Sequence, residues 1–279
     1  MEKVILITGC SSGIGAAMAR AFHSRGHRVF ATARRPETLA ALAEDGIETL
    51  ALDVNSEASI NAALAVVAMQ ERRLDMLVNN AGFSRVGAVL DLEREDLREQ
   101  YETNVIAPMR VVREAMPLLR AAVDASGSAS VVNIGSIVGL FTTPFTGAYC
   151  SSKAALHSLT DALRMEVAPL GIRVITVQPG GVKSSFGDNA EEGLRLPEGS
   201  LYQQLSDGIH ARAQAGQQDA TPTEKFVGPV VDKLLRANPP ALIRGGAGSV
   251  KLVALSRLLP RKWFDAMLSK RFGLDKFRR

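Results

Sequence analysis

The chain has 279 residues, of which 46% are hydrophobic and 22% charged, and its formal net charge is +4. This composition is typical of a globular protein, and it excludes a disordered chain, a collagen-like repeat and a small disulfide-stabilised scaffold. The two cysteines, Cys10 and Cys150, do not have metal-binding spacing. The sequence therefore predicts reduced thiols, a cytoplasmic location and no metal site.

The positive charge is concentrated at the C-terminus. Residues 251–279 contain nine lysines and arginines but only two aspartates, which leaves a small acidic excess in the first 250 residues. A uniformly basic surface for nucleic acid is therefore not expected, and we predict no nucleic-acid partner. The basic tail needs an interpretation of its own.

No segment has the pattern of a membrane span or a secretory leader. The longest uncharged stretch, residues 125–152, is rich in Gly, Ser and Thr and is too polar to cross a bilayer. The first apolar run is short and is followed at once by Thr8 and Gly9, so that it lacks the core of a signal peptide. We therefore expect the mature chain to begin at its first strand.

Short β-branched apolar runs alternate along the chain with segments of helical periodicity. The predicted strands are 4–7, 28–33, 47–52, 74–78, 130–134 and 174–177, and clear helical patterns occupy 16–22, 60–69 and 154–167. Continuous apolar strands separated by helices favour a parallel sheet with helices on both faces. The sequence shows no repeat and no linker, so the fold class is α/β, a doubly wound parallel sheet in a single domain, 1–279.

The regular alternation ends after Pro179. Residues 180–219 are rich in Gly, Ser, Gln and Asp, which predicts a mobile segment over a site, a lid at about 183–220. Thr221 to Glu224, with a proline in the first turn, predicts a helix that ends near Arg236. With a last strand at 241–244, the core spans 3–245, and a C-terminal helical extension follows at about 246–279.

Three glycines lie in the turn between the first strand and the first helix. The sequence Thr8-Gly9-Cys10-Ser11-Ser12-Gly13-Ile14-Gly15 allows positive φ angles and brings backbone N–H groups close to a pyrophosphate. A tight turn that binds nothing has the same pattern. Two later segments favour the binding site, because Asp53 and the run Asn79-Asn80-Ala81-Gly82 follow the third and fourth strands at the sheet edge where ligands bind.

The residues after the second strand indicate which dinucleotide is used. An Asp or Glu at this place accepts a hydrogen bond from the ribose 2′-OH of NAD, but this chain has Arg34 and Arg35 there. A guanidinium pairs with a 2′-phosphate, which a carboxylate would repel. We predict NADP(H), with Arg34 the first choice as phosphate ligand and Arg35 the second. Two solvated surface arginines are the alternative.

Tyr149 and Lys153 are four residues apart at the start of a long apolar helix. This spacing places a phenol and an ammonium group on one helix face, and a nearby cation favours the phenolate needed for acid/base chemistry. Ser136 follows the fifth strand, where its hydroxyl could bind the reacting oxygen. The alternative for the pair alone is a half-buried Tyr with a Lys that extends to solvent.

With these motifs the chain resembles the short-chain dehydrogenase/reductase family, in the subgroup with Thr-Gly-x-x-x-Gly-Ile-Gly, Asn-Asn-Ala-Gly and Tyr-x-x-x-Lys. The resemblance implies a Rossmann fold, NADP(H) or NAD as cofactor, and carbonyl/alcohol interconversion. The implied cofactor-binding residues are Gly9, Ser11, Ser12, Gly13, Ile14, Gly15, Arg34, Arg35, Asp53, Val54, Asn80, Ala81, Gly82, Tyr149, Lys153, Pro179, Gly180, Val182 and Ser184. Among them, Asp53 and Val54 would contact the adenine, and Asn80 the side of the pocket that holds the adenosine ribose.

The resemblance also implies four catalytic residues, Asn104, Ser136, Tyr149 and Lys153. Tyr149 would transfer the proton, Lys153 would lower its pKa and bind the nicotinamide ribose, and Ser136 would orient the carbonyl. Asn104 would hold a water in a proton relay, and a helix-kinking or capping asparagine is its alternative. Ser184 stands where the family often has Thr.

The substrate is predicted to be a small apolar carbonyl or alcohol, because apolar residues dominate the segments around the pocket. The members of this set, which could equally be core, are Val138, Leu140, Phe141, Phe145, Phe186 and Leu194. The C-terminal part is diffusely similar to the hydroxysteroid and retinol dehydrogenase branch, which suggests steroid-, retinoid- or long-chain-like substrates. The family resemblance also implies a homo-oligomer, a dimer or tetramer.

Two other functions remain open. A non-catalytic NADP(H)-sensing regulator would keep the glycine turn, although it has no need of Ser136, Tyr149 and Lys153 together. A peripheral membrane adaptor would rest on the tail, in which an apolar stripe containing Phe264 and Leu268 lies beside basic residues. Docking of that stripe on the protein's own core or on a partner subunit is the preferred interpretation.

Overall fold

A computed structural model describes residues 2–277; Met1 and the last two arginines of the basic tail, Arg278 and Arg279, lie outside the described residues. Seven parallel strands form one sheet in the order β3-β2-β1-β4-β5-β6-β7. The strands are β1 (Val4–Ile7), β2 (Arg28–Ala33), β3 (Glu48–Ala51), β4 (Met76–Asn79), β5 (Ala129–Ile134), β6 (Ile172–Pro179) and β7 (Leu242–Gly245). The predicted doubly wound parallel sheet is confirmed.

Helices cover both faces of this sheet. They are α1 (Gly13–His23), α2 (Ala40–Glu44), α3 (Glu57–Glu71), α4 (Arg94–Tyr101), α5 (Ala107–Ser126), α6 (Gly147–Val167), α7 (Phe186–Glu192), α8 (Ser206–Gln214), α9 (Thr223–Leu234), α10 (Lys251–Leu258) and α11 (Arg261–Arg271). A single π-helical turn, Glu102–Ile106, joins α4 to α5.

The two faces of the sheet bury separate apolar clusters. One lies under α1 and α9, with Phe22 and Val231 fully buried among strand residues, and the other lies under α3 and α5, with Leu64 and Leu119 in it. Strands β1, β4 and β5 are buried along their whole length, as expected for the centre of a parallel sheet. Burial on both faces explains why these strands read as continuous apolar runs.

The order in which successive strands are added to the sheet reverses at β1. Strands β2 and β3 lie on one side of it and β4 to β7 on the other, so the carboxyl ends of β1 and β4 border a crevice at a topological switch point. Every motif that the sequence analysis singled out follows a strand at this edge. The fold therefore brings the glycine turn and the Tyr149 helix to one side of the molecule.

The lid and the tail build a third apolar cluster above that edge. Residues 180–219 contain α7 and α8, which the sequence pattern did not predict, and α8 packs through Ile209 against Phe264 and Leu268 of α11. Pro260 separates α10 from α11. The apolar stripe of the tail thus docks on the protein's own lid, although Met267 remains 36% exposed.

Candidate active site

The glycine turn has the close packing that requires glycine. Gly9 has a φ of +73°, and a Cβ there would lie 2.7 Å from the Cα of Ala81; a Cβ on Gly15 would lie 2.4 Å from the carbonyl oxygen of Gly9. No side chain caps the start of α1, where Ser12 is the N-cap. The first N–H groups of α1 are therefore left for an anion, which the helix dipole favours.

Asn80 braces this turn from the neighbouring strand. Its amide nitrogen donates to the carbonyl oxygens of Thr8, at 2.9 Å, and Gly9, at 2.8 Å. In return the Thr8 hydroxyl accepts hydrogen bonds from the backbone N–H groups of Asn80 and Ala81, at 3.0 and 3.1 Å. The predicted cofactor residues of β1 and β4 thus form one hydrogen-bonded unit, in which the visible role of Asn80 is to hold the turn.

Arg34 and Arg35 directly follow β2 and are exposed. Neither forms a salt bridge with any carboxylate among residues 2–277. Nearby, the carboxylate of Asp53 accepts a hydrogen bond from the N–H of Asn55 at 2.9 Å, and Val54 is buried. Two unpaired guanidinium groups at this point fit a ligand phosphate.

The Tyr149 side chain is half-buried at the start of α6. Tyr149 lies in the first turn of α6, and its ring contacts that of Phe186 in the lid, with 5.5 Å between centroids. Burial raises the pKa of its phenol to about 12, while the neighbouring Ser136 hydroxyl and, more weakly, Arg212 act in the opposite direction. Tyr149 and Ser136 therefore meet at one point, as the sequence predicts.

Lys153 is buried and does not extend to solvent, which excludes the alternative proposed for it from sequence. Its ammonium nitrogen donates to the carbonyl oxygen of Ile134 at 2.8 Å and lies 5.9 Å from the centroid of the Tyr149 ring. Burial lowers the pKa of this amine to about 8. Because burial dominates both groups in this geometry, the expected lowering of the Tyr149 pKa by Lys153 is not visible.

Asn104 lies in the π-helical turn between α4 and α5 and is buried. Its side chain accepts a hydrogen bond from the N–H of Phe83 at 3.2 Å and donates to the carbonyl oxygen of Phe83 at 3.0 Å and to the Ser152 hydroxyl at 3.2 Å. Such π turns occur often at functional sites. Asn104 fixes the loop after Gly82, where a Cβ would lie 3.8 Å from the Lys153 ammonium nitrogen.

The loop after β6 closes the crevice on the glycine side. A Cβ on Gly13 would lie 2.9 Å from the Cβ of Ser184, and a Cβ on Gly180 would lie 2.2 Å from the carbonyl oxygen of Ala247. Val182 is buried in the core under α1. The predicted residues from Pro179 to Ser184 therefore lie directly beside the glycine turn.

Comparisons with known proteins give the family. The family described as short chain dehydrogenase matches residues 3–195. The short-chain dehydrogenase cctT of Talaromyces islandicus is 34% identical, over 99% of this chain and 97% of that protein. The crystal structure of a short-chain dehydrogenase from Streptomyces avermitilis is 32% identical with a TM-score of 0.80, covering 99% of this chain and 98% of that one.

This chain belongs to the short-chain dehydrogenase/reductase family. It is also 28% identical to a protein of Ornithobacterium rhinotracheale named NADPH-dependent 3-dehydrocapnine reductase, over 98% of this chain and 97% of that protein. Because the similarity to these proteins covers almost the whole chain, it includes the lid and the tail as well as the core. The family model itself covers residues 3–195, and the similarity to these relatives extends beyond it.

Two residues of this short-chain dehydrogenase/reductase were missed by the sequence analysis. His157 lies one turn beyond Lys153 and is placed to accept a hydrogen bond from the N–H of Ser136 at 3.4 Å, while burial lowers its pKa to about 4. Its place on the helix face of Tyr149 and Lys153 was a usable signal. Arg212 comes from the lid helix α8, and no local sequence pattern points to it.

The apolar residues predicted around the pocket divide into two groups. Phe186 contacts the Tyr149 ring at the reaction centre, whereas Phe141 packs on Phe264 of the tail with 5.6 Å between ring centroids. Phe145 is buried in the cluster formed by the lid and tail. Among the described residues, no helix of this short-chain dehydrogenase/reductase is long and apolar enough to span a membrane.

Proposed function

We propose that this protein is an NADP(H)-dependent oxidoreductase that interconverts a carbonyl group and an alcohol, with Tyr149 as the general acid/base. The observation that carries the proposal is the meeting of three groups at one sheet edge: the half-buried Tyr149 phenol, the Ser136 hydroxyl and the buried Lys153. A non-catalytic cofactor sensor has no use for this set. Family membership supports the same conclusion.

The cofactor half of the proposal rests on how the residues fit a dinucleotide. The uncapped N-terminus of α1 suits a pyrophosphate, and the unpaired Arg34 and Arg35 suit a 2′-phosphate. The NADPH dependence named for the Ornithobacterium rhinotracheale relative supports the phosphorylated form. We therefore assign the proposed cofactor site to the predicted residues between Gly9 and Ser184.

A bound nicotinamide supplies the hydride for reduction of the carbonyl, or accepts one in the opposite direction. The protein supplies the proton and the geometry. Tyr149 donates its phenolic proton to the carbonyl oxygen as charge develops there, and Ser136 holds that oxygen by a hydrogen bond. A phenol with a raised pKa remains protonated at neutral pH, so it is ready to act as the acid in the reductive direction.

Lys153 and Asn104 have supporting roles in the proposed proton transfer by the Tyr149 phenol. The ammonium nitrogen of Lys153 lies 3.8 Å from the position of a Cβ on Gly82, and in this proposal it binds a ribose hydroxyl beside that glycine. Its positive charge stabilises negative charge on the phenol during proton transfer. Asn104 fixes the loop that carries Gly82 through its hydrogen bonds to Phe83. In this proposal the water relay assigned to Asn104 by family resemblance is a second role, in addition to that bracing.

The substrate is proposed to be largely apolar, since Phe186 and the cluster of the lid and tail border Tyr149. We also propose a homodimer or homotetramer, which light scattering of the purified chain would measure. The test of function is oxidation of NADPH and of NADH, followed at 340 nm, with steroid ketones, retinal, long-chain aldehydes and small polar ketones. Turnover with NADPH on the apolar members supports the proposal, and tight NADPH binding without turnover on any member supports the sensor.

A further inference from the structure

Arg212 is a half-buried cation with no acidic partner in the described part of the chain. It lies on the lid helix α8, and its Nε donates to the Thr143 hydroxyl at 2.9 Å. The guanidinium carbon lies 5.7 Å from the centroid of the Phe272 ring in the tail. No carboxylate among residues 2–277 forms a salt bridge with it, and its two Nη groups make no hydrogen bond to the described protein.

The other enclosed arginine shows what is unusual about Arg212. Arg85 is 8% exposed, and it is neutralised by the carboxylates of Asp96 and Glu99. A charge that leaves water without a counter-ion costs several kcal/mol in general. In keeping with that cost, burial lowers the pKa of the Arg212 guanidinium. Within the described part of the chain, no carboxylate neutralises this cation.

A chain of hydroxyl contacts connects Arg212 to the start of the Tyr149 helix. The Thr143 hydroxyl that holds it is 2.8 Å from the hydroxyl oxygen of Thr146, the N-cap of α6, three residues before Tyr149. The positive charge of Arg212 lowers the pKa of the Tyr149 phenol, although burial outweighs it. With Nε bound to Thr143, the two Nη groups remain to bind an oxyanion by paired hydrogen bonds.

We propose that Arg212 binds an oxyanion of the substrate, such as a carboxylate, while the carbonyl of the same molecule is held by Tyr149 and Ser136. This inference rests on the proposed function and narrows its substrate class to amphipathic oxo acids. The apolar part of such a molecule would contact Phe186 and the cluster of the lid and tail. The acid group would supply a counter-ion that residues 2–277 do not give Arg212.

The kinetic test compares isomeric oxododecanoates, which differ in the distance between ketone and carboxylate, with their methyl esters. For the wild-type enzyme and NADPH, at least one acid should have a higher kcat/KM than its ester. Arg212→Gln should lower that acid-to-ester ratio by about tenfold or more, as expected for loss of a charge-assisted hydrogen bond. Arg212→Lys should keep part of the ratio, and Arg120→Gln, which removes an exposed charge on α5, should leave it unchanged.

A role for Arg212 other than substrate binding predicts a different change in kcat/KM. If the guanidinium serves only to tune the Tyr149 phenol or to hold the lid, Arg212→Gln lowers kcat/KM for acid and ester by the same factor and shifts both pH profiles equally. That result overturns the inference. A wild-type enzyme that turns over the esters as well as every acid also overturns it, while leaving the proposed function intact.

A binding measurement decides the inference even if no ketone is reduced. Dodecanoate and dodecanol are titrated by calorimetry into the protein with NADP⁺ present. The inference requires that dodecanoate binds more tightly than dodecanol to the wild type and that Arg212→Gln removes about tenfold or more of its affinity. Equal affinities in the wild type, or an unchanged affinity in Arg212→Gln, contradict it.

Discussion

The ammonium nitrogen of Lys153 lies 2.8 Å from the carbonyl oxygen of Ile134, the last residue of β5. This hydrogen bond fixes the first turns of α6 against the end of the sheet, and Tyr149 is one turn earlier on the same helix face. Ser136 follows Ile134 by two residues. This contact between helix and strand therefore helps to set the distance between the proposed proton donor, Tyr149, and the Ser136 hydroxyl proposed to hold the substrate.

Arg34→Asp should reverse the cofactor preference. The guanidinium is exposed and unpaired among the described residues, so its replacement removes the proposed 2′-phosphate ligand and adds a repelling carboxylate. We expect the ratio of kcat/KM for NADPH over NADH to fall by about tenfold or more. Steady-state kinetics with both cofactors measure this ratio, and Arg35→Asp is the matched control with a smaller expected effect.

An unchanged preference in Arg34→Asp would exclude this residue as the phosphate ligand. If the Arg35→Asp change alone reversed the preference, the second arginine would be the ligand. Either result can be told from unfolding by recording circular dichroism of the variants.

His157 should make the protein sensitive to acid. Burial lowers its pKa from 6.5 to about 4, so the unfolded chain binds a proton that the folded chain excludes. Its contribution to stability is therefore present above pH 6.5 and is lost as the pH falls toward 4. The loss from this group is about 3 kcal/mol at most, by the usual conversion of a pKa shift to free energy.

Urea unfolding of wild type and His157→Gln between neutral pH and pH 4 measures this effect. The stability of His157→Gln should fall less steeply with acid, because the variant has no group to protonate at this place. The exposed His23→Gln change should leave the wild-type acid dependence intact. Parallel pH profiles for wild type and His157→Gln would show that His157 is not the titrating group.

Asp96→Asn should loosen the lid. The buried Asp96 carboxylate accepts a hydrogen bond from Nε of Arg195 at 2.9 Å and pairs with Arg85 at 3.1 Å. Its neutralisation leaves the half-exposed Glu99 as the remaining carboxylate partner of the Arg85 guanidinium among the described residues. We expect a loss of about 1 to 3 kcal/mol in the free energy of unfolding and faster hydrogen exchange in residues 193–214.

The matched control for the lid prediction is Asp232→Asn. Asp232 pairs with Arg25 at 2.6 Å on the surface, with side-chain exposures of 61% and 32%. Surface pairs of this kind contribute less than about 1 kcal/mol. Equal losses of stability in both variants would contradict a specific role for Asp96 in holding the lid.

Sequence reasoning predicted the parts of this molecule that local patterns determine. The buried strands have continuous apolar runs, so their number, order in the chain and parallel arrangement followed from periodicity. The predicted ends of the strands were less accurate: β6 begins at Ile172 and extends to Pro179, beyond the predicted 174–177. Some residues near the two ends of β6 have no β-branched side chain, which weakens the sequence pattern of a strand. Their backbone groups nevertheless continue the hydrogen bonding of the sheet.

The residues of the candidate site also differ in whether local sequence patterns could predict them. Tyr149, Lys153 and Ser136 were predictable because helix spacing and strand ends fix them locally. Arg212 was not, because its position depends on how α8 packs against Phe272 of the tail, more than 50 residues away in sequence. The sequence also could not show that burial affects the Tyr149 pKa more than Lys153 does. Residue spacing carries no information on how far a group is removed from water.

The most direct test of the account is the rate of NADPH-dependent ketone reduction by Tyr149→Phe beside that of the wild type. The variant keeps the ring that packs on Phe186 and loses only the hydroxyl. We expect a fall in kcat of about a hundredfold or more, in line with loss of a general acid, with NADPH affinity unchanged by fluorescence titration. A variant that binds NADPH normally and keeps most of its turnover would contradict the assignment of Tyr149 as the proton donor.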